Sequence, residues 1–190
     1  QQERGSINLG DVRRVVLGVV AFSFLAEFVL TLILAVRFWA VDGIGLGTAL
    51  WRGLFHAISA FNNAGFALFS TNMIDYALDP VIILTLSLAV IVGGLGFPVW
   101  LELHSRWRLP DRWSLHTKIT LAATGMLLLV GWVAMTLLEW NNEATLGSMP
   151  VHGKILNGFF ASVVPRTAGF NSIDYGEMQP EGLLITNMLM

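Results

Sequence analysis

The sequence predicts an all-α membrane protein that crosses the bilayer several times, and three observations carry that prediction. Charged residues are scarce: 11 Lys or Arg and 13 Asp or Glu make up 13% of 190 residues, where soluble domains carry about 25%. So few charges cannot cover the surface of a soluble domain of this size. Three apolar runs reach the length a helix needs to cross a bilayer, and the mean hydropathy of +0.67 agrees. Finally, a short glycine-containing motif occurs twice, 104 residues apart. The same composition argues against disorder and, with a net charge of −2, against a nucleic-acid partner. The absence of cysteine excludes disulfide scaffolds, thiolate metal sites and cysteine nucleophiles.

Taken in order, Arg4, Arg13 and Arg14 precede a first span over 15–40, which contains Glu27 and Arg37 and is too long for a signal peptide. A shorter apolar segment, 49–61, leads into Asn62-Asn63-Ala64-Gly65-Phe66. A second span, 81–101, carries no charge. Its Gly93, Gly94 and Gly96 permit close helix packing, and Pro98 is placed to kink it near one end. The polar loop 102–118 holds four cations and leads to a third span, 119–138. A second short apolar segment, 151–164, precedes Arg166-Thr167-Ala168-Gly169-Phe170, and a fourth apolar run begins at 182. That run reaches only nine residues and the chain starts at Gln1, so the sequence reads as an internal piece of a longer protein. Runs of about 20 apolar residues span; runs of about 10 to 14 are candidates for re-entrant insertion. Seven cations fall in the N-terminal stretch and the 102–118 loop, which places both in the cytoplasm and the two long connections outside. Asp42, Asp75, Asp79, Glu139, Glu143, Asp174, Glu177 and Glu181 then face outward, either as an acidic field that concentrates cations or as ordinary solvated surface.

The motif recurrence extends to its surroundings. The same offset superposes Phe55 on Phe159, Ala57 on Ala161 and Arg13-Arg14 on Thr117-Lys118, while Ile74-Asp75-Tyr76 reappears 99 residues later at 173–175. This predicts tandem repeats of helix, pore loop and helix, as in tetrameric potassium channels, over 1–104 and, truncated, over 105–190. Irregular backbone at membrane depth survives only when buried in protein or lining a polar path. Glycine turns carbonyls toward a common axis without a Cβ penalty, and a half-helix leaves its partially negative C-terminal end at the membrane centre. Carbonyl oxygens beside a negative dipole end suit a dehydrated monovalent cation. An extracellular hairpin packed on the bundle is the other reading of these segments.

Phe-Asn-Asn-Ala-Gly-Phe at 61–66, Arg-Thr-Ala-Gly-Phe-Asn-Ser at 166–172 and Gly-Gly-Leu-Gly-Phe-Pro at 93–98 together resemble the second and third repeats of the Trk/Ktr/HKT superfamily of potassium transporters. The resemblance covers nearly the whole chain. It implies four consecutive repeats around one pore, of which this chain supplies the second and most of the third. It makes Gly65 and Gly169 the filter glycines, completed by Asn62, Asn63, Ala64 and Phe66 and by Arg166, Thr167, Ala168 and Phe170. Potassium would lie at backbone carbonyls, chiefly those of Asn63, Ala64, Gly65, Thr167, Ala168 and Gly169. A glycine in both copies is the pattern the family associates with potassium preference. The resemblance further implies a plasma-membrane pore subunit that forms a homodimer and binds a cytoplasmic nucleotide-binding regulatory subunit. It leaves open Na⁺- or H⁺-coupled symport and sodium permeation, and it implies no cofactor.

Several other residues carry two readings each. Glu27, at mid-span, serves either ion coupling or a structural hydrogen bond. Arg37 is placed to snorkel outward. Arg166 either pins filter carbonyls or pairs with an acid such as Asp174. Asp75-Tyr76 and Asp174-Tyr175 mark the outer ends of the two loops, and His56, where the other copy has Phe160, reads as a packed histidine. Trp39, Trp51, Trp100, Trp107, Trp113 and Trp140 fall near the interfaces, as an aromatic belt does. An enzyme is disfavoured because no nucleophile, base or metal cluster falls at membrane depth. An inverted-repeat carrier is disfavoured because the two copies start on the same side.

Overall fold

The computed structural model describes residues 9–166 and 168–190, without the side chains of 9–12 and 14. Arg4, the Arg14 side chain and Thr167 therefore lie outside the described residues. Among the described residues the secondary structure is entirely helical: α1 Leu9–Asp42, α2 Leu46–Phe61, α3 Pro80–Leu95, α4 Phe97–Arg106, α5 Leu115–Leu138, α6 Val151–Val163 and α7 Pro180–Leu189. Short 3₁₀ turns lie at Ile74–Tyr76, Pro110–Arg112 and Tyr175–Glu177. The 28 residues Val15–Asp42 of α1 and the 24 of α5 are long and apolar enough to cross a membrane.

The apolar run at 81–101 forms two helices, not one. The 16 residues of α3 extend only about 24 Å, and α4 leaves at 93° to it. The turn falls at Gly96, φ +79, with Pro98 two residues on. A helix continuing through Gly96 would have paired the Val92 carbonyl with the Gly96 N–H; instead the Trp100 indole N–H donates to Val92 O at 2.9 Å. Trp100 thus holds the corner together, together with Phe22, whose ring contacts Trp100, Phe97 and Phe61. The bend is sharper than a proline kink, so the apolar run expected to span at 81–101 is broken at Gly96.

Helix α2 packs along α1 and α3, and α6 packs along α5 and α3, so α3 is shared by both groups. Small residues bring these helices close. A Cβ on Gly53 of α2 would stand 2.8 Å from the Thr31 carbonyl of α1, and one on Gly93 of α3 would overlap the Phe61 carbonyl that ends α2. The main core lies at this junction, with Leu34, Phe38, Ala57, Ala60, Met73, Ile82, Leu86, Phe160, Val163 and Phe170 buried. Most large apolar residues on α1 and α5 remain exposed, including Phe24, Phe28, Met126 and Leu137. That distribution suits helices whose outer surface meets lipid or further protein.

Polar anchors fix the helix ends. Asp79 caps α3, its Oδ1 accepting from the N–H groups of Val81 and Ile82 at 3.0 and 3.2 Å. Ser114 caps α5, and Glu102 of α4 accepts from the Ser114 N–H and hydroxyl and from the Thr117 hydroxyl. Glu139, fully buried where α5 ends, accepts from the Asn142 amide, the Thr145 hydroxyl and the Gln179 N–H at the start of α7.

Candidate functional site

Helix α2 ends without a break in hydrogen bonding. The N–H groups of Asn62, Asn63 and Ala64 donate back to Ile58, Ala60 and Ser59 at 3.0, 3.1 and 2.8 Å. The chain then turns through Asn63 and Gly65, at φ +52 and +70. Among the described residues, no backbone hydrogen bond ends on the carbonyls of Asn63, Ala64 or Gly65. Two side chains of α2 take hold of the segment beyond. The Ser59 hydroxyl donates to Phe66 O at 2.8 Å, and the Leu68 N–H donates to His56 Nε2 at 3.2 Å. His56 is buried, stacked on Phe69 with ring centroids 5.0 Å apart, and its Nδ1 lies 2.7 Å from Arg52 O.

The second segment leaves α6 in a similar way. Ala168 N–H donates to Val164 O at 3.0 Å, Gly169 takes φ +69, and Ala168 and Phe170 are buried. The two segments meet backbone to backbone. A Cβ on Gly65 would overlap the Ala168 carbonyl, and one on Gly169 would stand 3.3 Å from Gly65 Cα. Only glycine fits Gly65 on both counts, since an L side chain also costs about 1–2 kcal/mol at such a φ. Beyond the glycines the loops are cross-linked: Met73 N–H donates to Asn171 O at 3.0 Å, and Asn171 N–H to Asn72 Oδ1 at 3.3 Å. Asn63 and Arg166, one from each segment, line with Gly94 and Thr124 a cavity of about 170 Å³.

The residues around the junction answer several expectations. Of the two readings of Glu27, the hydrogen bond is realised: Asn62 Nδ2 donates to Glu27 Oε1 at 2.8 Å and also to Ile58 O at 2.9 Å. Arg37 does not simply reach outward. It pairs with Asp42 at 3.1 Å and with Asp79, joining α1 to the α3 cap. Tyr76 donates its phenol to Asp42 Oδ2 at 2.8 Å, and burial followed by that hydrogen bond pushes its ionisation up to about 12, so it remains a donor. Of the eight acids expected to face outward, Asp79 and Glu139 are buried in these networks and cannot supply an exposed field; the other six are exposed. Asn62, Ala64 and Phe66 are exposed, with Phe66 at 70%.

Sequence reasoning brought Gly65 and Gly169 forward but missed Ser59, Asn72 and Asn171. Ser59 was detectable as a polar residue in an apolar helix; Asn171 stood within the quoted run 166–172 but without a role, and Asn72 carried no signal.

Residues 1–190 match the TrkH family, described as a cation transport protein. The chain is 45% identical over 181 residues to Ktr system potassium uptake protein B of Vibrio alginolyticus, covering 95% of this chain and 39% of that protein. It is 38% identical over 190 residues to Ktr system potassium uptake protein B of Bacillus subtilis, covering 100% and 42% respectively. It is 34% identical over 182 residues to potassium/sodium uptake protein NtpJ of Enterococcus hirae, covering 96% and 40%. The chain thus spans about two fifths of the length of these curated relatives. An all-helical membrane chain whose two glycine turns meet backbone to backbone, matched along its whole length, belongs to the TrkH family of cation transport proteins.

Proposed function

We propose that this chain forms part of the pore of a potassium uptake protein, with 62–66 and 166–170 as two segments of its selectivity filter. The observation that carries this reading is the approach of Gly65 to Ala168 and Gly169, at a distance that leaves no room for a side chain on Gly65. Each glycine follows the C-terminal end of a short helix, where carbonyl oxygens and the helix dipole both favour a cation. In this reading, 1–104 and 105–190 are tandem helix, pore-loop, helix repeats. Potassium passes the carbonyls of Asn63, Ala64, Gly65, Thr167, Ala168 and Gly169 without covalent chemistry.

Seven cations in the N-terminal stretch and the 102–118 loop support a cytoplasmic location for both. The full-length protein is then a homodimeric plasma-membrane subunit that works with a cytoplasmic nucleotide-binding partner. The Enterococcus hirae relative is a potassium/sodium uptake protein by name, which favours a second reading in which sodium also permeates. One assay addresses both readings: potassium and sodium uptake by the full-length protein, normalised to protein in the membrane. Gly65→Ser and Gly169→Ser are expected to lower the potassium-to-sodium uptake ratio at least tenfold, the equivalent of about 1.4 kcal/mol. An unchanged ratio in both variants contradicts the filter assignment, and a parent ratio near one favours the sodium reading.

A further inference from the structure

His56 has two neighbours that leave it a single hydrogen-bonding form. A carbonyl oxygen only accepts, so His56 Nδ1, 2.7 Å from Arg52 O, must carry the proton. An amide N–H only donates, so Nε2, 3.2 Å from Leu68 N, must present its lone pair. An imidazolium would set a second N–H against the Leu68 N–H. The ring is held in this orientation by Phe69, stacked at 5.0 Å, and by Phe55, edge-on at 5.6 Å, with Phe38 behind it.

We propose that His56, as the neutral Nδ1–H tautomer, is a positioning residue for the cation path, its Nε2 acting with the Ser59 hydroxyl to fix the backbone that follows Gly65. The role rests on the filter reading given above. His56 would touch no ion. It holds Leu68 N–H while Ser59 holds Phe66 O, so the segment is gripped on both its donor and its acceptor side within three residues of Gly65.

The second copy does not carry the same two side chains. At the matching positions, 104 residues on, stand Phe160 and Val163, whose side chains offer neither donor nor acceptor. The second segment instead leans on the first, through Asn171 N–H to Asn72 Oδ1 and Met73 N–H to Asn171 O. The polar pins of α2 therefore bear on both segments: directly on 66–68 and, through Asn72 and Met73, on 171.

The test replaces His56 in the full-length protein and reads the potassium-to-sodium uptake ratio, normalised to protein in the membrane. His56→Phe introduces the residue found in the other copy, keeps an aromatic ring and removes the acceptor. His56→Gln keeps an acceptor at the reach of Nε2. The ratio is expected to fall about tenfold in His56→Phe, because the Leu68 amide loses the acceptor that His56 supplies, and to stay within about twofold of the parent in His56→Gln. A parent-like ratio in His56→Phe overturns the proposal. So does an equal fall in His56→Gln, which assigns the effect to ring packing. If His56→Phe fails to reach the membrane, His56→Asn, too short to meet Leu68, carries the test: the ratio falls if the proposal holds, and a parent-like ratio overturns it. Gly65→Ser is measured alongside. A shift there with none in His56→Phe removes His56 from the path and leaves the filter reading standing; no shift in either removes both.

Discussion

Gly65 and Gly169 share a left-handed φ but not a neighbourhood. Any L residue at either position takes on the same backbone strain of about 1–2 kcal/mol. At Gly65 a Cβ also overlaps the Ala168 carbonyl, a backbone atom that cannot swing aside, whereas at Gly169 the nearest atom is Gly65 Cα at 3.3 Å. The account therefore expects an order of severity. Gly65→Ala should lower the potassium-to-sodium uptake ratio more than Gly169→Ala, by at least about threefold; equal or reversed effects would show that backbone contact does not set the tolerance. The two glycines were legible in the sequence because the motif occurs twice, and their mutual contact was not. Two copies of a motif carry no information about the distance between them. The partner of Glu27 was hidden for a related reason, since Asn62 stands 35 residues away and only the packing of α1 against α2 brings them together.

At the scale of elements, the instructive case is the corner between α3 and α4. Hydropathy runs unbroken from 81 to 101, so a window average sees one span. The turn depends instead on local chemistry: a positive φ at Gly96, a proline at 98 and the Trp100 indole donating to the vacated Val92 carbonyl. Trp100 belongs to this corner first and to an aromatic belt only by position. Trp100→Phe keeps the ring contact with Phe22 but removes the N–H. It is expected to destabilise the full-length protein by about 1 kcal/mol, read as an earlier midpoint in detergent unfolding with uptake selectivity unchanged. An unaltered midpoint would mean the corner is held by sterics alone. The long helices α1 and α5 and the short α2 and α6 were readable because each is a contiguous apolar stretch of characteristic length. The caps at Asp79 and Ser114 gain their strength from Arg37 and Glu102, which lie on other helices. Sequence order does not reveal such partners.

At the scale of the whole molecule, the all-α membrane class followed from composition, because 13% charge leaves a 190-residue chain no other way to bury its apolar side chains. Sidedness is a separate matter and has its own test. The chain has no cysteine, so single cysteines in place of Ser70 and Glu177, both exposed in the two long connections, are expected to react with a membrane-impermeant thiol reagent added outside. Labelling from opposite sides would contradict parallel repeats. The central claim concerns the path of the ion itself, and it is tested most directly by anomalous diffraction from crystals of the full-length protein soaked in rubidium. The account predicts density on the axis beside the carbonyls of Asn63, Ala64, Gly65, Ala168 and Gly169. Bound rubidium elsewhere in the membrane region, with none beside these carbonyls, would contradict it.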